Sequence, residues 1–363
     1  MIPCNDLLRS YEMFKSEFEE SALKTLRSGR YILGNNCLEF EKEFSRLVGS
    51  KHCVACDNGT NAIFLGIKAL GIGTGDEVIV QTNTYIATVM GITRNGATPV
   101  FVEPNDFYNM NDSIEDKIGP KTKAILVTHL FGQATKLNHI LELCEKYNLY
   151  LLEDCAQAHF AKYKGQMVGT IGKIGFFSFY PTKNIGALGD AGCLVTDDDE
   201  IAKKLFELRN YGSTERYHFD VEGGINSRMD ELQAAFLLVR IKHFKELTEE
   251  KITIANKYLS GIKNKLVKLP KVDVDCTSVW HLFVLQVDDR DGFMKYLKEN
   301  GVDADVHYPI PPHLSKCYAY LNHKEGDFPV AEFYAKHIVD IPIFNGMTMG
   351  EVDKVIEVVN GYK

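Results

Sequence analysis

The sequence predicts an α/β protein, with a large domain on a mainly parallel central sheet and a smaller C-terminal α+β domain. Three observations lead there. Short continuous apolar runs alternate with helix-period segments over residues 50–200. The runs are too evenly apolar for strands wetted on one face, which suits strands covered on both. The pattern then restarts after a long amphipathic helix, and 363 residues exceed what one hydrophobic core ordinarily supports.

In chain order, residues 1–20 read as a leading arm or helix, 21–249 as the large domain and 250–363 as the small one. Val78-Ile79-Val80 is strand-like and follows the turn Gly73-Thr74-Gly75-Asp76. Further runs follow at Pro99–Val102, Ala124–Val127, Leu149–Leu152, Phe176–Phe179 and Cys193–Val195. Leu137, Ile140, Leu141 and Cys144 recur on one face of a helix over 137–147. Leu232, Ala235, Phe236, Val239 and Leu247 do the same over 230–247. In the small domain, Val279–Val287 reads as a strand and Arg290–Asn300 as a helix stopped by Gly301. Val302–Tyr308 reads as a second strand, and Glu351–Val359 as a terminal helix.

Composition excludes several classes. With 49 acidic and 41 basic side chains the net charge is −8, which argues against a nucleic-acid binder with a basic face. No run approaches the ~18 apolar residues of a membrane span. The opening MIPCNDLLRS lacks the basic and apolar regions of a secretory signal, so a soluble, cytoplasmic protein is expected. Nine cysteines are scattered along the chain and read as reduced thiols. Cys53 and Cys56 form the one C-x-x-C; with no second pair there is no zinc pattern, and core packing on a buried strand outweighs a dithiol role. No metal site is expected.

Three signals point to chemistry. Lys183 follows an aromatic-rich strand (Ser178-Phe179-Tyr180-Pro181-Thr182) and precedes Gly186, Gly189 and Gly192, which let backbone approach a bound group. A lysine there can form a Schiff base if its surroundings depress its pKa. Asp154 ends an apolar run, at the strand end where open α/β sheets bind ligands, and can hold a protonated pyridine nitrogen. Asn58-Gly59-Thr60 opens an apolar helix whose free N–H groups can bind phosphate. Singly, an exposed loop lysine, a helix cap and ordinary capping explain each of these. Together they supply a phosphate cup, a ring-nitrogen acid and a Schiff-base lysine, in the chain order of a fold type I pyridoxal-phosphate enzyme.

The resemblance becomes specific in longer stretches: Asn58–Ala62, Gly71–Ile79, Thr84–Thr88, Glu153–His159, Gly224–Ala235 and His307–His313. In order and over nearly the whole chain, they resemble the DegT-type nucleotide-sugar aminotransferases. The resemblance implies the fold type I aminotransferase architecture, pyridoxal 5'-phosphate as cofactor, a nucleotide-sugar substrate, glutamate as amino donor, and a homodimer with shared active sites. By the same resemblance Lys183 would hold the cofactor as a Schiff base. Asp154 would pair with the pyridine nitrogen, Gln157 would lie near the phenolic oxygen, and Tyr85 would stack on the ring. Gly59, Thr60 and Ser178 would bind the phosphate, with Asn226 reaching it from the other subunit. Tyr180, His159, His307, Tyr308 and His313 are candidate substrate contacts.

The residues around the lysine divide the family. C4-aminating members often carry histidine three residues before the lysine and an acidic-glycine pair after it; here Tyr180 holds that place and the stretch runs to Gly192. This is similar to the subgroup aminating C3 of dTDP-linked 3-keto-6-deoxyhexoses, which commonly has glycine where Thr182 stands. The competing readings are C4 amination, a non-catalytic sugar-binding relative, and a dehydratase relative with histidine at the lysine position. The presence of Lys183 argues against the last two.

Overall fold

The computed structural model describes residues 1–363. Seven strands form the central sheet, in the spatial order His52–Cys56, Gly192–Thr196, Ile174–Ser178, Tyr150–Asp154, Thr122–Thr128, Glu77–Gln81 and Thr98–Val102. The last five pair in parallel. Gly192–Thr196 is antiparallel to both its neighbours, so His52–Cys56 points the same way as the parallel strands. Successive side chains enter opposite cores: Ile79, Ile125, Leu151 and Phe177 lie in one, Val78, Leu126, Leu152 and Phe176 in the other. Burial on both faces is why these strands read as unbroken apolar runs.

Helices Gly59–Ala69, Ile86–Thr93, Asn138–Tyr147 and Asp199–Leu208 cover the sheet. A three-stranded antiparallel sheet, Val267–Lys268, Phe283–Val287 and Ile338–Ile341, lies in the C-terminal part. Helices Phe244–Gly261, Arg290–Glu299 and Met349–Gly361 share a separate core with it, through Tyr258, Phe293, Leu297 and Val355. No helix is long and apolar enough to cross a membrane.

Several elements differ from the sequence reading. The helix over 230–247 is two, Glu231–Lys242 and Phe244–Gly261, broken at His243, which has φ −105° and ψ 11°. The His243 ring stacks on Phe14 at 4.1 Å, and its Nε2 meets Glu17 at 2.8 Å, so tertiary contacts fix the break. The strand over 279–287 begins only at Phe283. Upstream, Val279 N–H donates to Gly132 O (2.9 Å) and Leu282 N–H to Phe131 O (3.3 Å), which pins this segment to the large sheet's loops instead. Residues 302–308 make no ladder, only single bridges from Val302 to Ile2 and from Asp305 to Asp340. The edge place in the small sheet belongs to Ile338–Ile341, whose residues are all buried. The N-terminal segment forms helices Leu7–Glu12 and Lys15–Ser28, the second running through residue 20 with Phe18 in the core.

Cys53 and Cys56 stand three apart on one strand and enter opposite cores. At ~3.3 Å per residue their Cα atoms are about 10 Å apart, beyond the ~7 Å a disulfide spans. Both are buried packing residues, and the dithiol reading fails on geometry.

Candidate active site

The strand directions gather one set of loops at one sheet edge. The carboxyl ends of His52–Cys56, Glu77–Gln81, Thr122–Thr128, Tyr150–Asp154 and Ile174–Ser178 all lie there. A cavity of about 600 Å³ opens at this edge, lined among others by Gly59, Tyr85, Asp154, Ser178, Lys183 and Tyr308. Ligands of open α/β sheets sit at this kind of place.

One wall is the start of helix Gly59–Ala69. The Asn58 side chain caps it, accepting from Asn61 N–H (2.8 Å), and Asn58 O accepts from Ala62 N–H (3.0 Å). The N–H groups of Gly59 and Thr60 have no protein acceptor and border the cavity. Glycine is required at 59: a Cβ there would lie 2.6 Å from Ser178 Cβ. A Cβ on Gly192 would lie 2.5 Å from the Asn58 carbonyl carbon, so that position is closed to side chains as well. The half-buried Ser178 thus sits against two free amides at a helix N-terminus, an arrangement that favours an anion.

Asp154 ends its strand in the sheet's middle and is buried. No helix follows it, so it is not a cap. Its Oδ2 accepts from Thr88 Oγ1 (2.7 Å) and its Oδ1 from Ala156 N–H (3.1 Å). Burial raises its pKa, opposed by these hydrogen bonds and by the charge of Lys183. Burial lowers the Lys183 amine to about 8, with Asp154 opposing. Each group thus holds its charge at a cost, and the cavity suits a bound group that takes up both.

Gln157 is anchored from both sides: its Oε1 accepts from Phe131 N–H (2.7 Å) and its Nε2 donates to Tyr308 Oη (2.9 Å). The Tyr308 ring faces Tyr85, centroids 5.1 Å apart, and Tyr85 is half exposed to the cavity. His307 also lines the cavity and pairs through Nδ1 with the buried Asp340. Burial alone would lower the His307 pKa, but the bond to Asp340 outweighs it and the imidazole is held toward its cationic form. Tyr180 borders the cavity and is exposed.

Three of the residues singled out from sequence lie outside the cavity. His159 is 1 % exposed, packs against the Phe177 and Phe179 rings, and has no hydrogen-bond partner on either nitrogen. Burial and the Lys183 charge lower its pKa to about 3, so it is a neutral packing residue and not a substrate contact. His313 is likewise buried, its Nε2 3.1 Å from Glu332 and its ring against Phe328; it fixes the 312–332 segment and does not line the cavity. Asn226 is exposed, bridges Asn210 on the backbone and does not line this chain's own cavity.

Sequence reasoning missed Thr88, Asn184, His281 and Lys251. Thr88 closes the motif Thr84–Thr88 already noted, two residues after Ile86 opens its helix, and that position was the only signal. Asn184 directly follows Lys183, but nothing local tells that it meets residues 67 and 97 positions away. A further buried knot joins His129, Glu153 and Cys155. His129 Nδ1 accepts from Thr135 N–H (2.9 Å), so Nε2 carries the proton and donates to Glu153 Oε2 (3.0 Å). The Glu153 carboxylate also accepts from Gly169, Ile171 and Gly172 N–H. Its lone pairs are spent on backbone, which makes the knot a clamp on the strand bearing Asp154.

Residues 12–360 match the DegT/DnrJ/EryC1/StrS aminotransferase family. A dTDP-3-amino-3,6-dideoxy-alpha-D-galactopyranose transaminase of Aneurinibacillus thermoaerophilus is 45% identical over 364 residues, covering 100% of this chain and 99% of that one. A dTDP-3-amino-3,4,6-trideoxy-alpha-D-glucose transaminase of Streptomyces venezuelae is 39% identical over 361 residues, covering 99% and 95%. Among solved structures, S. venezuelae DesV in complex with a ketimine intermediate superposes with a TM-score of 0.96 at 39% identity, covering 99% of this chain and 97% of that one.

Proposed function

The chain belongs to the DegT/DnrJ/EryC1/StrS aminotransferase family, and on that footing we propose that it aminates C3 of a dTDP-linked 3-keto-6-deoxyhexose, with pyridoxal 5'-phosphate as cofactor and L-glutamate as donor. The observation that carries this is one cavity, bordered by Gly59, that holds an amine depressed to about 8, a buried carboxylate and an unpaired amide cup. Both relatives described above are named for 3-amino sugars, which supports C3 over C4.

The residues present fit the cofactor. Gly59 and Thr60 N–H with Ser178 Oγ would take the phosphate, where a Cβ on residue 59 would close the space. Asp154 would hold a proton on the ring nitrogen, and Tyr85 would cover the ring. Gln157, fixed by Phe131 and Tyr308, would sit beside the phenolic oxygen. When bound, pyridoxal phosphate supplies an electron sink. Lys183 would anchor it, then take a proton from the donor's α-carbon and return one to sugar C3 through the same Nζ. Tyr180, His307 and Tyr308 would contact the sugar. Asn226, exposed and outside its own cavity, would complete the phosphate site of a second copy, so the working unit is a homodimer. We take residues 21–249 and 250–363 as the large and small domains, supported by the separate core of the C-terminal sheet.

The test is spectroscopic. Protein with added cofactor gains a visible band, glutamate removes it, and the 3-keto sugar nucleotide restores it; borohydride then fixes the label on Lys183. A spectrum that stays featureless with added cofactor, or label on another lysine, contradicts the reading.

A further inference from the structure

Behind the cavity lies a polar cluster that the reaction above leaves without a role. Asn184, His281 and Lys251 are buried, at 8%, 7% and 3% exposure, and only His281 lines the cavity. Their hydrogen bonds settle one proton. Val279 O can only accept, and it lies 2.7 Å from Asn184 Nδ2, which fixes which way the amide points. Asn184 Oδ1 therefore faces both Lys251 Nζ (3.4 Å) and His281 Nδ1 (3.1 Å). An amide oxygen only accepts, so His281 Nδ1 carries the hydrogen. In the neutral ring, Nε2 is then a bare lone pair.

The ring is neutral for a physical reason. Burial and the positive charges of Lys183 and Lys251 push its pKa well below the ordinary value, and His307 adds to the same effect. It is also held still. Val279 N–H and Leu282 N–H bond to Gly132 O and Phe131 O, and a Cβ on Gly132 would lie 2.5 Å from His281 N. His281 Nε2 has no protein partner.

We infer that His281 is a specificity-determining residue, whose Nε2 accepts a hydrogen bond from a sugar hydroxyl on the carbon next to the reacting ketone, with Asn184 and Lys251 as the positioning residues that lock this tautomer. The inference rests on the proposed C3 chemistry. Hydroxyls are the only donors a neutral keto-sugar offers. Lys183, which works at the reacting carbon, and His281 line the same cavity, so the acceptor addresses that part of the sugar. A buried acceptor left unpaired rejects an analogue lacking the donor. The two relatives are named for sugars that differ on this point: the 3,6-dideoxygalactose keeps a 4-hydroxyl and the 3,4,6-trideoxyglucose lacks it. His281 assigns this chain to the 4-hydroxy sugar.

The test compares kcat/KM for dTDP-3-amino-3,6-dideoxygalactose and dTDP-3-amino-3,4,6-trideoxyglucose, run with 2-oxoglutarate in the amine-consuming direction. The full-length wild type is set beside His281→Phe and His281→Gln. Wild type should prefer the 4-hydroxy sugar by about 5- to 150-fold, the penalty of one buried acceptor left unpaired. His281→Phe should reduce the ratio to near unity, and His281→Gln, whose Oε1 can replace Nε2 as acceptor, should keep most of it. An unchanged ratio in His281→Phe overturns the inference. Nitrogen-15 NMR of the histidine-labelled protein reads the tautomer without substrate, so this inference and the substrate reading fail separately. Nδ1–H with bare Nε2 is expected, converting toward imidazolium in Asn184→Asp; a proton on Nε2 in the wild type overturns the assignment.

Discussion

Gly59→Ala tests the phosphate cup by steric means alone. The added Cβ would lie 2.6 Å from Ser178 Cβ and 3.2 Å from Ser178 Cα and Oγ. Carbon pairs settle at ~3.5–4.0 Å, so the helix start must withdraw by about 1 Å. A hydrogen bond near its ~2.9 Å optimum does not survive that stretch. Bonds to charged groups contribute ~1.5–3 kcal/mol each, so losing one and weakening the other raises the cofactor Kd by about 30- to 1000-fold. Overpacking costs ~1–3 kcal/mol of stability, a modest fall in Tm that leaves the protein folded at assay temperature. The assay is titration of cofactor-free protein with pyridoxal 5'-phosphate, followed by visible absorbance, with thermal melts as control. Wild-type affinity in a folded Gly59→Ala protein would refute the cup.

Asp154→Asn should retain cofactor but lower kcat by about 10²–10³, the scale of removing one buried electrostatic partner, because an amide cannot keep the ring nitrogen protonated; kcat within a few-fold of wild type leaves Asp154 a merely structural residue. Lys183→Ala and Asn226→Asp should each be inactive, yet mixing them should restore part of the activity through hybrid dimers once subunits exchange. A mixture no better than its parents, with exchange confirmed, contradicts a shared site. Capture of pyridoxal phosphate by cofactor-free protein should speed up with pH through about 8, the value to which burial lowers Lys183. Between there and the ordinary ~10.4, the unfolded lysine holds a proton that the folded one has released, so stability also rises with pH across that window. A capture rate still climbing above pH 10 would show an ordinary lysine.

What the sequence disclosed follows from how local each determinant is. Strands buried on both faces show themselves as apolar runs, and all six runs lie in the central sheet. Motif residues at strand ends, such as Asp154 and Ser178, converge because parallel strands place like ends at one edge. The misreadings share the opposite property. His243 breaks a helix through contacts with Phe14 and Glu17, over 200 positions away in the chain, and residues 302–308 lose their strand to Ile338–Ile341. His159 sits inside the best motif yet points into packed phenylalanines, since neighbouring residues of a turn face different ways. The Asn184–His281–Lys251 cluster joins three distant segments, and no periodicity reports such a meeting.

The central claim is amino transfer to C3, and NMR of the product tests it most directly. Protein, pyridoxal 5'-phosphate and L-glutamate are incubated separately with a dTDP-linked 3-keto and a 4-keto 6-deoxyhexose. The account predicts a new amine-bearing carbon at C3 from the first and no amination of the second; amination confined to C4 would contradict it.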